Sequence, residues 1–112
     1  MRNPKNHNET CEKQMFGKCQ GVCKTYSILQ KEYAKILDAD PNVKSFVCNV
    51  PMEGMSYTSD FYITMKDDSI MVRECIMHQD LVKPRWLALL DTARNYWSAH
   101  GIDDWGLVCN KQ

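Results

Sequence analysis

The stretch from Thr58 to Ile76 constrains this chain more than any other. Thr58-Ser59-Asp60-Phe61-Tyr62-Ile63-Thr64-Met65 is rich in β-branched and aromatic residues and predicts a strand. Ser69-Ile70-Met71-Val72-Arg73-Glu74-Cys75-Ile76 predicts its return, and Lys66-Asp67-Asp68 between them carries turn chemistry. A three-residue turn centred on Asp67 fixes the register. It sets 65 opposite 69, 63 opposite 71, and Asp60 opposite Glu74. Two carboxylates directly opposite each other repel and weaken a sheet. A fold keeps such a pair more easily when a divalent cation or a shared proton sits between them. A plainer reading is also open, in which Asp60 only caps the strand entry and Glu74 is solvated.

Around this hairpin the periodicity changes. Thr25 or Ser27 can cap a helix running to Ala39, with Tyr26, Leu29, Tyr33, Ile36 and Leu37 spaced as one apolar face. Asp40-Pro41-Asn42 ends it, because a residue before proline avoids the helical region. Val43 to Val50 predicts a strand, and Pro51 to Tyr57 connects it to the hairpin. After the hairpin, His78 to Lys83 predicts a loop and Pro84 to His100 a second helix. Its stripe is Trp86, Leu89, Leu90, Ala93 and Trp97, with Gly101 as a C-terminal stop. Trp105 to Cys109 predicts a last short strand. The expected fold class is therefore α/β (α+β): a small mixed sheet with a three-strand meander, a flanking N-terminal helix and a crossover helix before the last strand.

Length and charge limit the function. A chain of 112 residues makes one domain, expected over 23–112 behind a loosely ordered leader at 1–22 that Gly17 and Gly21 punctuate. Its zero formal net charge argues against a strongly basic nucleic-acid coat, though a local patch remains compatible. No apolar run is long enough for a membrane span. Met1 to Thr10 is polar with no apolar core, so no secretory signal is expected and the cytoplasm is the expected compartment. Its six cysteines are then expected as thiols. Cys48, Cys75 and Cys109 fall in or beside predicted strands, where cysteine acts as a small buried hydrophobe. His7, Cys11, Cys19 and Cys23 are four plausible zinc ligands, but their spacing matches no common finger; incidental cysteines on a loose tail are the alternative.

Four motifs in order carry a resemblance. They are the Ser27–Glu32 helix start, Asp40-Pro41-Asn42-Val43, Tyr57-Thr58-Ser59-Asp60-Phe61, and Tyr96-Trp97 followed by Gly101-Ile102. Over residues 25–110 they resemble the N-terminal domain of TnsA-like transposon endonucleases, within the PD-(D/E)XK nuclease superfamily. That resemblance implies a restriction-endonuclease-like fold. It also implies metal-dependent DNA cleavage in a mobile element or phage, with Mg²⁺ or Mn²⁺ held by Asp60 and Glu74. In such enzymes the metal activates water and a lysine steadies the charge of the transition state.

The chain departs from the pattern twice. The motif lysine falls on Ile76, and the helix glutamate falls on Gln30. Glu32 lies about 200° further round the helix and faces elsewhere. Arg73 points to the sheet face opposite Glu74, which leaves Lys83 as the candidate rescuing cation. Asp60, Glu74, Lys83 and Gln30 are thus the candidate catalytic set. His78, Lys83 and Arg85 could meet a DNA backbone. The other function class is a catalytically degraded nuclease fold that acts as an interaction module, bound to a transposase, a host-defence protein or DNA. Met52, Met55, Tyr57 and Trp105 would then offer contact area.

Overall fold

A computed structural model of the chain describes residues 11–110. Two strands, β1 (Glu12–Gln14) and β2 (Cys23–Thr25), form a small antiparallel ribbon, followed by helix α1 (Ile28–Ala39). Then come β3 (Val43–Pro51), β4 (Thr58–Met65) and β5 (Ile70–Ile76). A 3-10 segment (His78–Val82), helix α2 (Pro84–Ala99) and β6 (Trp105–Cys109) complete it. The main sheet runs β3-β4-β5-β6; its first three strands are an antiparallel meander, and β6 lies parallel to β5 after the α2 crossover. This is the mixed α+β architecture the element order predicts. No helix among the described residues is long and apolar enough to cross a membrane.

Local chemistry sets each boundary. Ser27 caps α1 by accepting the Gln30 amide at 3.2 Å. Beyond the helix, Asp40 accepts the Asn42 amide on its side chain and the Val43 amide on its carbonyl, which turns the chain into β3. At the hairpin, Met65 donates to Ser69 and Asp68 donates to Met65, with Asp68 in the left-handed region at φ 70°. Asp67 accepts both the amide and the hydroxyl of Ser69, which hold its carboxyl below the usual range. The register Phe61↔Arg73, Tyr62↔Val72, Ile63↔Met71 is the one the turn predicts.

The helices pack on opposite faces of the sheet. Cys75, Phe61 and Ile63 face α1 with Ala34 and Leu37. Ile76, one residue from Cys75 and therefore on the other face, packs with Trp86 and Leu90 of α2. Val72 meets Ala93 and Trp97 on that same side. Of the expected α2 stripe, Trp86, Leu90, Ala93 and Trp97 are buried and Leu89 is half-buried. The α1 stripe is shifted. Gln30, Ala34 and Leu37 are buried while Ile36 is exposed. Ile36 lies about 120° round the helix from the Gln30–Ala34–Leu37 line, too far to reach the sheet.

Part of the 1–22 segment makes defined contacts with the sheet: Gln20 donates to the Phe46 carbonyl and Phe46 to the Lys18 carbonyl, both at 2.9 Å, and Phe16 packs on the core. Residues 1–10 lie outside the described residues. Cys109 is exposed rather than buried, because β6 is an edge strand.

Trp97 joins the second helix to the sheet through its buried ring and through its indole N–H, which donates to Ser59 Oγ at 2.8 Å. Trp97→Ala is expected to cost about 3–5 kcal/mol in equilibrium urea unfolding. A loss below about 1 kcal/mol would show that α2 is not anchored there.

Candidate functional site

Carried one residue beyond Phe61↔Arg73, the hairpin register sets Asp60 opposite Glu74. Both side chains are buried, at 1% and 0% exposure. The backbone pairing of β4 with β5 ends just before them, although β4 still pairs with β3 as far as Thr58 and β5 with β6 as far as Ile76. The carboxylates span the gap. The Asp60 amide donates to Glu74 Oε1 at 3.2 Å, and the Cys75 amide donates to Asp60 Oδ2 at 2.7 Å. Each strand thus offers a backbone N–H to the other strand's carboxylate.

Other donors converge on Glu74. The Tyr57 hydroxyl reaches Oε1 at 3.0 Å, and the Trp105 indole N–H reaches Oε2 at 3.4 Å. Tyr57 and Met52 are buried, so they are core residues and not the exposed contact area that their loop position suggests. Trp105 is half-buried; Met55 remains exposed. The sequence carried no signal for Tyr57 as a partner of Glu74, since a loop tyrosine acquires that role only once the 52–57 connection folds under α2.

The other two predicted members, Gln30 and Lys83, have partners of their own. Gln30 is buried and accepts the Tyr26 amide on Oε1 at 2.7 Å, so its carboxamide braces the start of α1. Lys83 is 57% exposed at its side chain and pairs with Asp80 at 2.6 Å. Gln30 and Lys83 share the lining of a cavity of about 730 Å³ with Cys75, Ile76, Trp86 and Glu32. Glu32 is therefore at that cavity, not turned away from it. The cavity lies at the end of the sheet where β5 finishes, and neither Asp60 nor Glu74 is among its lining residues. Arg73 is committed elsewhere, with its guanidinium on the side chain and carbonyl of Asp104. Ile76, which the resemblance sets at the lysine position, is 3% exposed and packs with Trp86 and Leu90.

This geometry bears on whether a magnesium ion suits the pair. Mg²⁺ takes oxygen ligands in a near-octahedral shell and keeps several waters. Two opposed carboxylates supply the right donor type, but here they are enclosed and accept protein N–H and O–H groups. The donor set fits in chemistry and not in access, so no reaction step is assigned to a bound ion.

The leader cysteines are also regrouped. His7 lies outside the described residues and Cys11 is exposed, while Cys19 and Cys23 converge with Cys48 of β3. Burial pushes the Cys19 thiol up. The hydrogen bond between Cys23 and Cys48 holds the Cys23 thiol below its ordinary range and pushes Cys48 well above it.

The cross-strand brace predicts a stability effect. Glu74→Ala leaves the Tyr57 hydroxyl and the Asp60 amide buried without that acceptor. At about 1–3 kcal/mol for each donor that loses this acceptor, a loss of about 2 kcal/mol is expected in urea unfolding. Tyr57→Phe, which removes one donor and keeps the ring, should cost about 1 kcal/mol. Near-zero cost in both variants would mean the brace does not hold the strands.

Compared with known proteins, the chain matches no family model and no curated protein.

Proposed function

We propose that this chain is a nuclease-fold protein of the TnsA-like kind, from a mobile element or phage, that acts as an interaction module and does not cleave DNA. The observation that carries this reading is Ile76. The position where a cleaving enzyme keeps its lysine holds a buried side chain under Trp86 and Leu90, which cannot carry charge to a phosphate. The helix glutamate is replaced by Gln30, whose carboxamide serves the Tyr26 amide. Lys83 points to Asp80. The zero net charge offers a DNA backbone little overall attraction, which favours a protein partner such as a transposase subunit over DNA alone. The cavity beside the site supports the same reading, since Ile28, Leu29, Met77 and Trp86 give it apolar walls.

Metal-dependent cleavage is the second reading. It is favoured by the Asp60–Glu74 register and by the exposed His78, Lys83 and Arg85 at the start of α2. A thermal scan in millimolar Mg²⁺ or Mn²⁺, against matched ionic strength without divalent cations, separates the two. A ligand that binds only the native state raises stability by about 2.7 kcal/mol at a hundredfold excess over its dissociation constant. The interaction module is expected to show a flat response and no plasmid nicking. A clear upward shift that Asp60→Asn abolishes, together with nicking that requires the cation, would overturn it in favour of the enzyme.

A further inference from the structure

Away from the carboxylate pair, three cysteines from two separate parts of the chain meet at the edge of the main sheet. Cys19 and Cys23 flank Gln20-Gly21-Val22, where Gly21 sits at φ 85°, a left-handed conformation that costs glycine little. Cys48 faces them from β3. Its sulfur lies 3.9 Å from that of Cys19 and 2.6 Å from that of Cys23, and all three sulfurs are within 4.8 Å of one another. The backbone holds this loop independently of the thiols. The Gln20 and Phe46 amides bind across to β3 and the loop, and the Lys18 amide donates to Asp38 Oδ1 at 3.1 Å.

We propose that Cys19, Cys23 and Cys48 form a structural site for a thiophilic divalent cation, zinc in the first place. Zinc–thiolate bonds of about 2.3 Å in a tetrahedron set sulfurs roughly 3.8 Å apart. Cys19 and Cys48 already stand at that spacing. Cys23 and Cys48 are closer, and would open by roughly 1 Å to admit the ion. On binding, each ligating thiol releases its proton to solvent and a zinc–sulfur bond forms, with no change of oxidation state. Among the described residues no fourth cysteine, histidine or carboxylate joins the three sulfurs, which leaves the fourth position to water or an added ligand. Of the three, Cys23 and Cys48 alone are close enough to form a disulfide on oxidation; Cys19, within 4.8 Å of both, is the third ligand that a metal uses and a disulfide does not.

The site has a mechanical purpose. β3 is the outer strand of the sheet, and the loop at 18–20 covers part of its free edge. An uncovered edge pairs readily with other chains. A small domain also gains more than a large one from a covalent or metal staple. Zinc at these sulfurs would fix the leader over the edge.

The test uses the full chain, purified under reducing conditions without chelator. Mass spectrometry of the metal is expected to find about one zinc per chain. After zinc is stripped, added Co²⁺ should give a thiolate-to-cobalt charge-transfer band that zinc then bleaches. Cys48→Ser should lose both the zinc and the band, while Cys109→Ser, altered at an exposed thiol outside the cluster, should keep both. Circular dichroism checks that Cys48→Ser still folds, and the wild-type spectra decide the matter if it does not. The proposal fails if reduced wild-type protein carries almost no zinc and gives no cobalt band. It fails equally if Cys48→Ser retains the full band, or if a Cys23–Cys48 disulfide is recovered from protein that takes up no cobalt after reduction.

Discussion

The exchange of backbone amides for carboxylates between β4 and β5 is the interaction on which the rest of this fold depends. Below Phe61 and Arg73 the two strands part, and an ordinary ladder no longer joins them. Asp60 N–H to Glu74 and Cys75 N–H to Asp60 bridge them there. Buried polar groups are tolerated only when hydrogen-bonded, so each carboxylate needs the other strand as much as that strand needs it. The position of α2 follows from this. Tyr57 and Trp105 complete the acceptor sites of Glu74, and Trp97 reaches Ser59, the neighbour of Asp60.

The same enclosure bears on chemistry. A phosphate-cleaving centre needs water, a cation and an approach path at the carboxylates. In this chain the strand ends are roofed by Tyr57, Trp97 and Trp105, and the open cavity is displaced to the neighbouring end of β5, over Cys75 and Ile76. Ile76 and Glu74 point to the same sheet face, two residues apart. A lysine at 76 would carry its ammonium into the space that Trp86 and Leu90 fill. Packing of α2 and an apolar residue at 76 are therefore two aspects of one arrangement.

Two separate devices handle the ends of the sheet. At the β5–β6 side, Arg73 anchors Asp104 and draws the start of β6 into register with Val72. At the β3 side, the leader turns back over the edge strand, and its Cys19 and Cys23 meet Cys48. At the β3 side this cover limits pairing with other chains, while β6 remains a short edge strand of five residues.

Local physics made much of the fold legible. The cap at Ser27, the break at Asp40-Pro41, the turn at Asp67 and the α2 stripe each act within a few residues, where propensity and hydrogen bonding decide the outcome. Turn length alone fixed the pairing that sets Asp60 opposite Glu74, because a period of two leaves no freedom in which side chains share a face. What the sequence could not reveal depends on partners distant in the chain. Gln30 replaces Ile36 on the buried face of α1 because the helix is rotated by its contacts with the sheet, which outweigh the apolar pattern. Tyr57 becomes a donor to Glu74, and Cys48 a neighbour of Cys19 and Cys23, only through contacts 17 to 29 residues apart. Such juxtapositions arise when whole elements pack, and no local spacing encodes them.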